Sequence, residues 1–221
     1  MTGSQQPTAP DGVLAGQLGI ILLGRAIMGD VAVTMVDLAQ RQAIRVEEDP
    51  ASGWLVTARK NPSSARLNDY EKTLIQALPH VPSPLDQIEA SGLEQVRSAL
   101  VQDGVSRGWL RHLHHDQRTP AAEDLAQHVH AFQRALREQR HEQGEAALTG
   151  SMLPYALHFA LVSDDAAPLA RFAHAWVKAF GELPGWRPPK PPKPVYDDQV
   201  EEEEGGPVEH SAYGFVHAGR W

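Results

Sequence analysis

The sequence predicts a mostly helical α+β protein, with two winged-helix-like modules followed by a helical module and a disordered tail. Three observations indicate this fold class. Apolar residues recur at helical spacing over residues 29–42, the pattern changes to strand alternation over residues 44–57, and a weaker copy of the same order of elements begins near residue 67. Helix, helix and a two-stranded wing is the order of a winged helix.

Composition limits the function classes. The chain has 221 residues, 42% of them apolar, and its 28 acidic and 20 basic residues give a formal net charge of -8. This acidic balance argues against nucleic acid as the main partner. There are no cysteines, which excludes disulfides, thiolate nucleophiles and Cys-ligated metals. The most apolar window, residues 13–23, is too short to span a bilayer, so we expect a cytoplasmic protein without membrane insertion.

The first module combines two helices with a hairpin. Residues 13–23 supply its first helix, and a second helix over residues 29–42 has Asp30 as its N-cap or as an early acidic residue. Strands follow at residues 44–46 and 54–57, joined by a turn rich in Asp, Pro and Gly. The patterns divide the chain as follows: a flexible leader (1–12), two winged-helix-like modules (13–66 and 67–118), a helical module (119–183) and a Pro-rich acidic tail (184–221).

The second module repeats this order more weakly. Asn68 caps a helix, a short helix is predicted over residues 84–90, and a third helix runs over residues 92–106. The segment Arg107-Gly-Trp-Leu-Arg111 then stands where Arg41-Gln-Ala-Ile-Arg45 stands in the first copy. We expect Trp109 to be an interior anchor of this module.

The helical module begins at Thr119-Pro120, a cap followed by an N1 proline. Apolar residues then recur on one face of a long surface helix, a short buried helix follows at residues 153–162, and a last helix begins at Pro168. The predicted face of the long helix comprises Leu125, Val129, Phe132 and Leu136, and that of the last helix comprises Leu169, Phe172, Trp176 and Phe180.

The tail has a polyproline spacer, an acidic run and an aromatic end. Short recognition peptides use aromatic anchors of this kind, which favours Tyr213, Phe215 and Trp221 as partner-binding residues. Two alternatives stay open: this end folds back onto its own core, or it has no selected role.

Several segments together resemble a known family. They are Gly29-Asp-Val-Ala-Val-Thr-Met-Val-Asp-Leu-Ala-Gln-Arg41, Ile44-Arg-Val-Glu-Glu48, Leu93-Glu-Gln-Val-Arg-Ser-Ala-Leu100, Arg107-Gly-Trp-Leu-Arg111, Leu153-Pro-Tyr-Ala156 and Trp176-Val-Lys-Ala-Phe180. In this order, over residues 13–186, the chain resembles the cytosolic C-terminal region of the YciQ-like predicted bacterial membrane proteins, a domain of unknown function. The resemblance implies an architecture and no reaction. Family members have hydrophobic spans near and between these segments, whereas the joint here is polar, which implies a free-standing soluble version.

A winged helix suggests DNA binding, with its third helix in the major groove. The charges argue against it, because the two arginines between residues 29 and 46 stand against two aspartates, and the wing adds an acidic run at residues 47–49. A winged helix used for packing or protein docking is favoured.

Histidines suggest a metal site. A possible zinc-ligand set consists of Asp124, His128 and either His114 or His115. Asp124 and His128 are four residues apart on one predicted helix. His128 and His130 are only two apart and point to different sides, which is poor spacing for shared helical ligands. Solvated histidines are favoured, and no metal or cofactor is predicted.

Catalytic motifs are absent from the sequence: it contains no Walker-type loop, dinucleotide-binding GxGxxG, GxSxG elbow or HExxH. A small polar site is suggested by Tyr155 and His158 together with Asp164 or Asp165. The alternative is that His158 is a core histidine whose hydrogen bonds are satisfied within the fold. The predicted function is therefore a non-catalytic protein-interaction or adaptor protein with an unidentified partner. The alternatives are an enzyme or accessory biosynthetic protein with a His-rich site, and a DNA-binding transcriptional regulator.

Overall fold

A computed structural model describes residues 7–10, 12–59, 67–111 and 118–181 of the chain. In these residues the protein is mostly helical with a small antiparallel sheet, which confirms the predicted α+β class. The helices and strands are α1 (Leu18–Leu23), α2 (Met28–Gln40), β1 (Ile44–Asp49), β2 (Gly53–Ala58), α3 (Asp69–Ala77), β3 (Ser83–Pro84), α4 (Ala90–Ser106), α5 (Pro120–Gln143), α6 (Leu153–His158) and α7 (Pro168–Phe180). Short 3-10 turns precede α1, α4, α6 and α7.

Helix α2 lies at the centre of the fold. Its sequence is apolar nearly all round, and the structure buries all its residues from Gly29 to Val36, together with Leu38. It packs against α4, α6, α7, β1 and the 3-10 turn Ala15–Gln17. The sequence analysis predicts an apolar face on this helix. Instead, neighbours cover its first two and a half turns on every side and leave only the last turn partly exposed, because segments distant in the chain close around it.

The predicted hairpin is confirmed. Strands β1 and β2 pair antiparallel from Ile44 opposite Ala58 to Asp49 opposite Gly53. The Asp49 carboxylate accepts a hydrogen bond of 2.7 Å from the Ser52 amide, and Gly53 has a positive φ of 76°, so the turn uses residues suited to it.

A third strand joins this sheet from the second predicted module. Ser83 and Pro84 form β3, which pairs with β2 opposite Val56 and Leu55. The short helix predicted over residues 84–90 is therefore wrong in part, since Pro84 is in the strand and only Leu85–Gln87 forms a 3-10 turn. Proline is tolerated here because β3 is an edge strand.

The exit from α2 into β1 has a distinct hydrogen-bond pattern. The Arg41 amide donates to the Asp37 carbonyl at 2.9 Å, and the Ala43 amide donates to the Leu38 carbonyl at 2.8 Å. Between them Gln42 adopts a left-handed conformation with φ of 59°. This is a Schellman-type helix end, which normally favours glycine at the left-handed position.

The exit from α4 repeats this pattern at the residues that the sequence analysis aligns. The Arg107 amide donates to the Asp103 carbonyl at 3.0 Å, and the Trp109 amide donates to the Gly104 carbonyl at 2.8 Å. Gly108, with φ of 72°, takes the left-handed position that Gln42 occupies in the first copy. The two segments therefore share backbone geometry as well as sequence.

The expectation that Trp109 is an interior anchor is wrong. Trp109 is half-buried, and the guanidinium of Arg107 lies over its ring at 5.1 Å from the centroid. The buried residue is Leu110, with 3% of its surface exposed, which pairs with Arg118 as an isolated antiparallel bridge. Trp109 stays at the edge because successive side chains of an extended segment point to opposite sides.

The three predicted modules contribute to one apolar core. Long helix α5 buries Val129, Phe132 and Leu136 as predicted, with Ala122 and Ala126 in place of half-buried Leu125. Helix α7 buries Phe172 and Trp176, whereas Leu169 and Phe180 are only partly covered. No helix in the part of the chain that the structure describes has the length and apolar character needed to cross a membrane.

Candidate functional site

A buried polar pair joins α2 to α6. Oδ1 of Asp30 lies 3.4 Å from Nδ1 of His158, and the two residues are 0% and 2% exposed. Asp30 is in the first turn of α2, and His158 is the last residue of α6. The sequence analysis singles out both residues separately, but no pattern in the sequence brings them together.

Backbone amides hold the Asp30 carboxyl group in place. The Ile27 amide donates to Oδ2 at 2.8 Å, and the Gly19 amide of α1 donates to Oδ1 at 3.2 Å. A Cβ atom on Gly19 would lie 2.1 Å from Oδ2, and one on Gly16 would lie 1.9 Å from the Thr34 hydroxyl oxygen. Glycine is therefore required at both positions for α1 and its 3-10 turn to pack directly on α2.

Burial shifts the two groups in opposite directions. Desolvation raises the pKa of Asp30 to about 7, although the amides of Ile27 and Gly19 oppose this shift. Desolvation lowers the pKa of His158 to about 3, so the imidazole is neutral at physiological pH. Nδ1 of His158 has no hydrogen-bond partner among the described residues. The pair can hold a proton internally, but no substrate reaches it in this conformation.

The structure does not bring together the other members of the predicted polar site. The Tyr155 hydroxyl donates a 2.8 Å hydrogen bond to the Val13 carbonyl, and burial raises the pKa of Tyr155 to about 12. Asp164 lies at the surface, with Oδ1 at 3.1 Å from Nδ1 of His174 on α7. Asp165 is also exposed. Of this predicted set only His158 belongs to a buried polar arrangement.

An ion cluster connects α2 to α3. The Arg41 guanidinium bonds both Asp37, at 2.7 Å, and Glu71, whose side chain is 0% exposed. Desolvation raises the pKa of Glu71, opposed by the Asn68 amide and by Arg41. The sequence analysis does not predict this cluster. The i, i+4 spacing of Asp37 and Arg41 could have predicted their ion pair. The contact with Glu71 joins residues far apart in the chain, so no local pattern indicates it.

The candidate metal ligands are not gathered where the structure describes them. Asp124 and His128 are both exposed on α5, and His130 is exposed as well. His114 and His115 lie outside the described residues, as do Tyr213, Phe215 and Trp221. Within the described ranges no three His, Asp or Glu side chains form a group that could hold a metal ion.

The first winged-helix-like segment offers little surface to DNA. Its second helix, α2, is buried, and its wing is held against α7. The Trp54 ring meets the Phe172 ring edge to face with centroids 5.5 Å apart, and Glu48 pairs with Arg171 at 2.9 Å. In the second segment, Arg97 on α4 is paired with Glu94.

An exposed apolar residue ends α1. Leu23 is 45% exposed. In the described part of the chain one other large apolar side chain, Val81, is exposed, at 66%. Leu22 beside it is half-buried. Such a residue alone is ordinary on a protein surface, so its surroundings decide whether it matters.

Three arginines lie in, or bond to, the backbone on either side of Leu23. Arg118 donates from Nη1 to the last two carbonyls of α1 before Leu23, at 3.2 and 3.4 Å. Arg97 donates from Nε and Nη2 to the Ala26 carbonyl at 3.3 and 3.2 Å, and Arg25 is exposed in the turn itself. We refer to Leu22, Leu23, Arg25, Arg97 and Arg118 as the Leu23 patch.

Two surface pockets lie elsewhere. One of 410 Å³ lies between the end of α3 and the start of α4, and its lining is largely uncharged, with Gln76, Gln87 and Gln95. The other, of 390 Å³, is bordered by Asp37 and Tyr155. Neither gathers a set of titratable groups suited to acid-base chemistry.

No protein-family model matches the chain, no curated protein matches it, and no solved structure matches it. The resemblance to the YciQ-like proteins stays a prediction. Functional inference therefore depends on the residues of this chain.

Proposed function

We propose that the protein is a non-catalytic protein-interaction or adaptor protein that acts in the cytoplasm. The burial of α2 carries this proposal. A DNA-reading winged helix inserts its recognition helix into the major groove, but α2, the helix before the wing of the first module, is buried from Gly29 to Val36. In the second module α4 is partly exposed, and its Arg97 is paired with Glu94. These elements serve packing, and the remaining surface is available to partners.

The proposal includes two winged-helix-like modules. Its support is the shared helix exit, in which Arg41 and Arg107, and likewise Gln42 and Gly108, have equivalent conformations and hydrogen bonds. Strand β3 belongs to the second module by sequence but completes the sheet of the first. The modules therefore form a joined pair, which suits a rigid platform for docking.

The perturbed titratable groups favour binding over catalysis. Asp30 and His158 have the pKa shifts expected of functional groups, yet both are sealed from solvent. Arg41 is shared by Asp37 and Glu71 in an ion cluster. These groups stabilise the platform, which leaves partner recognition to the surface.

Two regions are proposed to contact partners. The Leu23 patch is one, and the aromatic end of the tail, with Tyr213, Phe215 and Trp221, is the other. Tyrosine and tryptophan bury a large area while losing few rotatable bonds, which suits short recognition elements.

Photo-crosslinking in the native host tests this function. A photoreactive amino acid is placed at position 23 or 213 of the full chain, with position 81 as the control because Val81 is also exposed. We expect a discrete protein conjugate from position 23 or 213 and none from position 81. Conjugates to nucleic acid alone, or no conjugates from either position, would contradict the proposal.

A further inference from the structure

We propose that the Leu23 patch binds an acidic segment of a protein partner, one apolar side chain of which packs on Leu23. This inference rests on the proposed interaction function and specifies the chemistry of the partner. It combines one exposed apolar residue with the guanidinium groups of Arg25, Arg97 and Arg118.

The arginines keep donors available for carboxylates. A guanidinium has five N–H donors. Among the described residues, Arg118 donates to backbone carbonyls through Nη1 alone, and Arg25 forms no ion pair. Arg97 is more fully engaged, because it bonds the Ala26 carbonyl and Glu94. Carboxylates bind free guanidinium donors with charge-assisted and often bidentate hydrogen bonds.

The patch is pre-organised. Arg118 and Arg97 bond carbonyls on both sides of Leu23, so they hold the turn and position their own guanidinium groups at the same time. A surface that is already ordered loses less entropy on binding. The chain has a formal net charge of -8, which repels an acidic partner at long range, so the attraction comes from short-range contacts with the arginines of the patch.

The apolar component favours a peptide over other anions. DNA phosphates would engage the arginines but leave Leu23 exposed. An anionic membrane would bury Leu23, but a single leucine contributes too little for stable anchoring, which requires more than one such signal. An acidic segment with an apolar side chain satisfies both parts of the patch.

The test uses the full chain and a fluorescein-labelled peptide of sequence EELEEFEE, with QQLQQFQQ as the uncharged control. Binding is measured by fluorescence anisotropy. We expect the acidic peptide to bind, and Leu23→Asp and Arg25→Glu each to weaken it about tenfold, as for a central contact. Val81→Asp is the matched control and should leave the affinity unchanged. Circular dichroism confirms that each variant is folded.

Three outcomes would overturn the inference. In the first, the two peptides bind equally, or Leu23→Asp and Val81→Asp have equal effects. In the second, vesicles of phosphatidylglycerol bind with a dependence on Leu23 while the peptide does not. In the third, replacing Glu201–Glu204 by glutamine in the full chain raises the peptide affinity more than tenfold, which would make the chain's own acidic run the occupant.

The proposed function can survive such a failure. If crosslinking from position 23 captures a partner whose contacting segment is not acidic, the protein remains an interaction protein and only the partner chemistry is wrong. If no partner is captured from either position but the acidic peptide binds with the expected dependence on Leu23, the patch chemistry stands and the adaptor function fails.

Discussion

Oδ1 of Asp30 lies 3.4 Å from Nδ1 of His158, and neither side chain reaches solvent. Burial raises the pKa of Asp30 to about 7 and lowers that of His158 to about 3. Between pH of about 4 and 6.5 the folded chain therefore holds a proton on Asp30 that the unfolded chain has lost, and lacks one on His158 that the unfolded chain holds. The two groups therefore give the unfolding free energy pH slopes of opposite sign, which largely cancel.

Removing Asp30 should expose the effect of His158. The contribution of the Asp30 carboxyl group to stability is fully present below its unfolded pKa and is lost as pH rises to about 7, at about 1.4 kcal/mol per pH unit. Asp30→Asn removes this slope. Relative to the natural chain, the variant should therefore gain unfolding free energy as pH rises from about 4 to 7, measured by urea unfolding.

Removing His158 should have the opposite effect. The neutral imidazole contributes stability above pH 6.5 that is lost as pH falls towards about 3. His158→Leu should therefore be more stable, relative to the natural chain, at pH 4 than at pH 7. If both variants keep a constant difference from the natural chain across this range, the pair does not titrate as described.

A second prediction concerns the contact between α1 and α2. Gly19→Ala places a Cβ atom 2.1 Å from Oδ2 of Asp30, so the carboxyl group must leave its hydrogen bonds or the helices must move apart. We expect a loss of about 1–3 kcal/mol, the usual cost of overpacking, in denaturant unfolding. A double-mutant cycle supplies the control, because Gly19→Ala should cost less in an Asp30→Ala background. Equal costs in both backgrounds would show that the carboxyl group is not the obstacle.

Equivalent arginines should differ in importance. Arg41→Ala leaves fully buried Glu71 without its cation, which typically costs about 3–5 kcal/mol. Arg107 occupies the matching position in the second copy and is exposed about as much as Arg41, but its partner Asp103 is partly exposed, whereas Glu71 is fully buried. Arg107→Ala should therefore cost about 1 kcal/mol or less for the ion pair. Similar losses of unfolding free energy in the two variants would contradict this account.

The left-handed positions give a reciprocal pair of substitutions. Gln42 has φ of 59°, where a side chain costs about 1–2 kcal/mol, whereas Gly108 takes the same position at φ of 72°. We expect Gln42→Gly to raise the melting temperature and Gly108→Gln to lower it, measured by calorimetry. A decrease in both would show that the Gln42 side chain makes a compensating contact.

The last prediction concerns nucleic acid. Because α2 is buried and the wing is held against α7, the full chain should show no salt-sensitive binding to random duplex DNA at physiological salt. Fluorescence anisotropy with labelled duplex at several salt concentrations measures this. A steep fall of affinity with rising salt would indicate several phosphate contacts and favour the regulator.

Local patterns predicted the elements well where period and turn chemistry agree. The change from helical spacing to alternation at Ile44, with a turn ending at Gly53, predicted the hairpin. Prediction was poorer where local chemistry is ambiguous. Proline is tolerated both at the start of a helix and in an edge strand. Pairing with the free edge of β2 placed Pro84 in a strand.

The buried polar contacts could not be predicted. Asp30 near the start of a helix has the same local signature whether it is exposed or buried, so the sequence indicated only its capping role. Its contact with His158 depends on α6 returning to α2 from far along the chain. Likewise, Arg41 has a local partner in Asp37, but its contact with Glu71 needed the packing of α3.

The sequence by itself determined most of the helices, the hairpin and the repeated helix exits, because these depend on interactions between residues close in the chain. Only the tertiary structure decided that β3 joins the hairpin, that α2 is buried from Gly29 to Val36, and that Leu23 remains exposed. The physical reason is that an apolar pattern shows which surface avoids water, whereas the contacts of distant segments determine which of those surfaces is actually covered.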